Sequence, residues 1–218
     1  NMDKPIEIST TVGTSNFMGL EKYMVQEGLV YNLVKGDLEP KRNAFDAKYA
    51  ADLIDTVFKF RGLGDGTAYI NDETNRLLSS YVSLYLQISF DAREKIAALR
   101  ASRPFTAEKK EQADSLTNAA IKYLELGQKQ FSDEWRCYWA AAFVYDIVGE
   151  KQKAMDVLEL GLKNVPEYDE GGRARLMMSK EQIKNSPEKP MVVEEPAADT
   201  AQPDSASADS NPVVAAAN

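Results

Sequence analysis

One ten-residue segment occurs twice at a fixed distance. YLELGQKQFS at 123–132 aligns without a gap on VLELGLKNVP at 157–166, an offset of 34 residues. In the two copies Ala120, Leu124 and Gly127 stand in the same relation as Ala154, Leu158 and Gly161. Self-similarity at such a period marks a chain that stacks small supersecondary units, each unable to bury its apolar face alone. The unit is most complete over Trp135–Tyr168, which reads as two amphipathic helices joined by a turn at Gly149. Ala141 and Ala142 on the first helix and Ala154 and Gly161 on the second are small where the helices must approach. Tyr138, Tyr145 and Leu158 fill the space between, and Pro166 stops the second helix.

This pattern resembles a tetratricopeptide (TPR) helix pair. Tyr145, Ala154 and Pro166 match the family's pattern directly. Tyr138 stands at its usual Trp, Ala141 at its Leu, Ala142 at its Gly, and Leu158 at its large second-helix residue. The earlier copy departs from the pattern, with Ser132 at the terminating proline and a preceding helix too long and distant to be a standard first helix. The chain therefore has one full repeat and one irregular one. The resemblance implies a mainly α fold, a stack of TPR-like α-α hairpins, and says little about chemistry.

The N-terminal third reads differently. KPIEISTTV at 4–12 alternates Ile6 and Ile8 with polar residues, as a strand does. A helix is predicted over 16–26, with Ser15 or Asn16 as its cap and Phe17, Leu20, Tyr23 and Met24 on one face. LVYNLV at 29–34 is a second β-rich run. Strand, helix and strand with short links predict a parallel pair, a small β-α-β unit over 1–43. A turn-rich connection at 33–43 leads to a helix over 44–60, with Ala50, Leu53, Ile54, Val57 and Phe58 inward.

RGLGDGTAY at 61–69 lacks the Lys-Ser/Thr ending of a phosphate cradle; a helix stop and a tight turn at Asp65-Gly66 are the favoured reading. Asn71 or Asp72 caps a long helix to about Arg100, with Leu77, Tyr81, Leu84, Tyr85, Ile88, Ala92 and Ile96 as its inner stripe. Pro104 ends that region and Thr106 caps the next helix. Residues 44–106 thus form a helical region packing on the repeats. Residues 107–185 hold the TPR-like helices, closed by a capping helix from Arg173 to Asn185. From 186 to 218 the composition is Pro, Ala, Ser and acid, six acids against Lys189, which predicts a disordered acidic tail.

Residues 4–100 carry a second resemblance. Lys4-Pro5-Ile6, Gly19-Leu20 with Tyr23, and Glu27-Gly28-Leu29 with Tyr31 and Val34 follow one pattern. Lys59-Phe60 with Gly62, Tyr69-Ile70, Asp72-Glu73 and Asn75-Arg76 continue it. It is similar to the soluble C-terminal region of a bacterial family of multispanning membrane proteins that resemble protein O-mannosyltransferases. The resemblance implies a parent that transfers glycosyl groups in its membrane part. This piece would then lie on the extracytoplasmic (periplasmic) side, engaging a protein or peptide or the rest of that parent.

The chain has no histidine, which removes imidazole bases, imidazole metal ligands and the Ser/His and Cys/His triads. A single Cys137 makes no internal disulfide and no zinc site by itself, and reads as a small buried hydrophobe. The net charge of −8 without a basic stripe argues against nucleic acid. No run reaches the roughly 20 apolar residues of a membrane span. Asp72 and Glu73 read as first-turn acids facing the helix dipole, and Asp52 and Asp55 as a solvated face. No cofactor is implied.

What remains is surface. On the first TPR helix Arg136, Trp139, Phe143 and Asp146 are not used for internal packing, and Trp139 and Phe143 lie one turn apart. They form a possible partner groove that could grip a peptide; the alternative is that this face packs on the helix over 72–100. The sequence thus favours a non-catalytic interaction or scaffold domain. An independent soluble cytoplasmic TPR adaptor is the alternative, and a carboxylate-only enzyme such as a glycosidase would need two facing acids in a deep cleft.

Overall fold

A computed structural model describes residues 5–34, 44–64, 67–187 and 192–193. The chain is mainly α-helical with a small N-terminal sheet. Among the described residues four strands, β1 (Glu7–Ser9), β2 (Met24–Glu27), β3 (Val30–Leu33) and β4 (Ala44–Phe45), precede six α-helices. These are α1 (Ala47–Thr56), α2 (Asp72–Ala101), α3 (Ala107–Gln130), α4 (Trp135–Ile147), α5 (Lys151–Asn164) and α6 (Glu170–Asn185). No described helix is long and apolar enough to cross a membrane.

The N-terminal unit corrects the β-α-β expectation. Residues 16–26 form no α-helix: two 3-10 turns at Thr14–Asn16 and Glu21–Tyr23 flank a break, and β2 follows. The break is at Met18 and Gly19, whose φ angles of 50° and 85° are incompatible with a right-handed helix. The chain then reverses at Gly28, with φ of 63°, in a two-residue loop that pairs Glu27 with Val30. The sheet order is β1-β3-β2-β4, and both β1 and β2 run antiparallel to β3. The predicted parallel relation is found instead between β2 and β4.

That short β4 takes the first residues of the helix predicted over 44–60. Asp46 then caps α1 by accepting from the Tyr49 amide at 2.8 Å. Ala50 and Ile54 are buried as expected, but Val57 is exposed because α1 has ended. Phe58 and Phe60 turn inward beyond it, edge-on to Tyr81 at 5.1 and 5.3 Å. The predicted turns at 33–43 and at Asp65-Gly66 fall wholly or largely outside the described residues, as does most of the acidic tail.

The long helix stands where the sequence places it. Asn71 caps α2 by accepting from the Thr74 amide, and Thr106 caps α3. Leu84, Tyr85, Ile88, Ala92 and Ile96 are buried, whereas Leu77 of the predicted stripe is exposed near the start of the helix. Consecutive helices pack on one another from α2 to α6. In addition α2 touches α4 and α4 touches α6, so these three share a layer backed by α3 and α5. One core fills the space among α1, α2, α3 and α4, and a second lies among α4, α5 and α6.

The small residues sit in the seams. Ala120, Ala141, Ala142, Ala154, Gly127 and Gly161 are all buried. A Cβ on Gly161 would stand 2.8 Å from the Tyr138 Cβ and 3.1 Å from Leu176 of α6. One on Gly127 would meet the Cys137 Sγ at 3.0 Å and Tyr85 at 3.4 Å. The last helix starts earlier than its predicted Arg173, at Glu170, because Asp169 caps it through the Gly172 amide at 2.9 Å. Gly172 is there for space: the Trp135 ring lies 2.4 Å from where its Cβ would be.

Candidate partner-binding face

The layer of α2, α4 and α6 carries the four predicted residues, of which Trp139 also packs partly against both cores. Arg136, Trp139, Phe143 and Asp146 follow one another along α4, each half-buried. Trp139 is the centre of an aromatic ladder. Its ring lies 6.1 Å from Phe90 of α2, 6.3 Å from Trp135 and 5.1 Å from Phe143. Phe90 and Trp135 meet it edge-on, as aromatic quadrupoles favour, and Phe143 is tilted to it.

Arginines flank the ladder. The Arg93 guanidinium of α2 lies 5.3 Å over Phe143, and that of Arg175 of α6 lies 5.5 Å over Trp135. Arg136 holds Glu134 through two nitrogens, at 2.8 and 2.6 Å, and reaches Ser79 Oγ of α2 at 3.2 Å. That carboxylate keeps Arg136 protonated above its ordinary value. Burial lowers Arg93 instead, with Asp146 partly offsetting the effect. The buried Nε of Arg93 has no hydrogen-bond partner among the described residues.

All four residues predicted for the groove are therefore on one face, and part of that face does pack on α2. The contacts are edge contacts, however, and leave Phe90 40% exposed. Towards the N-terminal end of α4 the face opens into a cleft of about 680 Å³ between the start of α2 and the α5–α6 connection. Arg76, Ser79, Trp135, Arg136, Tyr168 and Asp169 are among its walls. Tyr168 is 84% exposed, an aromatic ring held open to solvent at the rim.

Sequence reading missed Tyr168, Arg76 and the arginines on α2 and α6. The only signal for Tyr168 was its place just after a helix-stopping proline; the others come from distant segments brought together by the α2-α4-α6 layer.

Asp55 of α1 accepts from Lys122 Nζ at 2.8 Å and from the Tyr123 hydroxyl at 2.9 Å, both on α3. Cys137 is fully buried, and burial pushes its thiol up to about 12. Among the described residues, no group of three or more Cys, Asp or Glu side chains is arranged to hold a metal ion. No protein-family model, curated protein or solved structure matches the chain.

Proposed function

We propose that this chain is a non-catalytic, TPR-like interaction or scaffold module that binds an extended peptide segment along the α2-α4-α6 face. The observation that carries this reading is the ladder of Phe90, Trp139, Phe143 and Trp135, edged by Arg93, Arg136 and Arg175 and continuous with an open cleft. Aromatic and arginine side chains in a preformed, partly desolvated groove are the groups that dominate peptide and protein recognition. Support for the TPR-like character comes from the matched Ala, Leu and Gly positions at the 34-residue offset and from the layering of alternate helices. The lack of histidine and the inert Cys137 favour binding over bond-making.

The resemblance of residues 4–100 further supports a parent of the protein O-mannosyltransferase-like membrane family, in which this module engages acceptor protein or neighbouring subunits on the extracytoplasmic side. Reading the gene upstream of Asn1 tests this directly: a series of apolar spans is expected, and an initiation signal there would favour an independent adaptor.

Binding is tested by screening the purified chain against a peptide array. Trp139→Ala removes the centre of the ladder, and Tyr168→Ala alters the rim without touching the core. Loss of the same peptides in both variants, with thermal unfolding unchanged for Tyr168→Ala, is the expected result. An array in which neither variant changes the binding pattern, or in which nothing binds, overturns the reading.

A further inference from the structure

We infer that the cleft at the N-terminal end of α4 receives a lysine or arginine side chain of the bound peptide, its stem on an apolar floor and its charge among aspartates. The inference rests on the reading of the α2-α4-α6 face as a peptide groove and names the residue type that anchors its ligand.

The cleft, of about 680 Å³, has the size of a ligand pocket, roughly 300–1,000 Å³. Its floor includes Leu78, Val82 and Phe131, of which Val82 and Phe131 are buried and Leu78 is half-buried. Asp72, Asp133 and Tyr168 stand at its exposed rim. An apolar floor under a charged rim suits a side chain that buries a hydrocarbon stem and keeps a charged head near water, as lysine and arginine do.

The sign of that head follows from which wall groups are already paired. Asp72, Asp133, Glu134 and Asp169 stand in the walls against Arg76 and Arg136. Arg136 is held by Glu134, and Arg76 by Glu73. The Arg136 and Gly172 amides, donors at the starts of α4 and α6, are taken by Glu134 and Asp169. Among the described residues, the Asp72 and Asp133 side chains have no hydrogen-bond or ion-pair partner. The cleft thus keeps carboxylates for a cation, while its own cations already face acids.

Tyr168 adds a ring, 84% exposed, whose face attracts a cation as well. The fold contains this combination once within itself: Lys122 Nζ lies 2.8 Å from Asp55 and 4.6 Å from the centre of the Tyr123 ring.

The test is an array of acetylated, amidated heptapeptides with Lys, Arg, Gln or Glu at the centre and neutral residues elsewhere, probed with the full chain. Lysine and arginine peptides are expected to bind about fivefold more tightly than glutamine ones, with glutamate peptides weakest, and high salt should shrink the advantage. Asp72→Asn with Asp133→Asn should remove the preference and leave binding of the glutamine peptides unchanged. Asp133→Lys should favour glutamate peptides instead, a reversal that a damaged fold would not produce.

Equal binding of lysine and glutamine peptides, or a preference that survives the double variant, overturns the assignment. Where binding depends on Trp139 but not on the central charge, only the cation site falls; where no peptide set binds, the groove reading falls with it.

Discussion

Gly161 of α5 lies directly against Tyr138 of α4, so closely that a methyl group on the glycine would stand 2.8 Å from the tyrosine Cβ and 2.9 Å from its ring. The neighbours are a side-chain root and a buried ring, neither free to move aside. Gly161→Ala is therefore expected to destabilise the chain by about 1–3 kcal/mol despite the better helix propensity of alanine. Gly171, whose nearest neighbour would be 3.9 Å away, is the control: Gly171→Ala should be neutral or slightly stabilising. Urea denaturation of both variants checks the contrast, and equal effects would mean that packing at Gly161 is loose.

The same geometry shows what the sequence made legible. The offset of 34 residues aligns not only Gly127 with Gly161 but also Gln130 with Asn164. Each of the latter pairs with a first-helix tyrosine, Gln130 with Tyr85 and Asn164 with Tyr138. The second helices of the two hairpins are thus equivalent in contacts as well as in spelling. Their first helices are not spelled alike, and Tyr85 precedes Tyr138 by 53 residues, because α2 and α3 are much longer than α4 and α5. The period alone hid the fact that α2 occupies the place of a first helix.

The N-terminal unit was misread for a local reason. Phe17, Leu20, Tyr23 and Met24 are spaced like a helical face, yet the chain turns left-handed at Met18 and Gly19, and Met24 and Gln26 alternate inward as strand residues. The spacing of the four apolar positions fits the helical period, and the left-handed turn at Met18 and Gly19 overrides it. The candidate face was legible only on α4, since its other half comes from side chains some 50 residues upstream and 40 downstream.

The link between α1 and the rest depends on pH at both ends of the scale. Lys122 and the Tyr123 hydroxyl hold the Asp55 carboxyl below its ordinary value, and Asp55 holds Lys122 above its own. The lowered carboxyl contributes stability that is present above about pH 4, the unfolded value, and is lost as pH falls through the folded one. The raised ammonium contributes below about pH 10, its unfolded value, and loses that contribution as pH rises through the folded one. The pair is solvent-exposed, so its worth is about 0–1 kcal/mol. Asp55→Asn should lower Tm slightly at pH 7, and the difference should vanish as pH falls through the lowered value of the folded carboxyl. A Tm difference independent of pH would assign the effect to packing.

Cys137 gives a kinetic test of the core. Its thiol is enclosed between α3 and α4, with Gly127 beside its sulfur, and burial raises it to about 12. The thiolate is the reacting species, so alkylation at pH 8 is expected to be slower than in the unfolded chain by on the order of 10³-fold or more. Mass spectrometry after timed iodoacetamide exposure, with and without urea, measures the ratio. Similar rates in both states would mean that the α3–α4 seam opens freely.

Two basic residues on α6 both reach α5, and burial decides which matters. Arg173 donates from one guanidinium nitrogen to the carbonyls of Leu162 at 2.6 Å and Val165 at 2.8 Å, at the end of α5 where carbonyls lack helical partners. Removing a charged donor from partly buried carbonyls costs about 1–3 kcal/mol, and Arg173 also pins the start of α6 to the end of α5. Lys180 instead meets Glu159, whose side chain is 60% exposed, and such surface pairs are worth well under about 1 kcal/mol. Arg173→Met should therefore lower stability clearly and Lys180→Met hardly at all, although both substitutions remove one positive charge from the same helix. Chemical denaturation of the two variants side by side makes the comparison, and the reverse ranking would show that the α5–α6 junction is held by long-range charge rather than by capping of the α5 carbonyls.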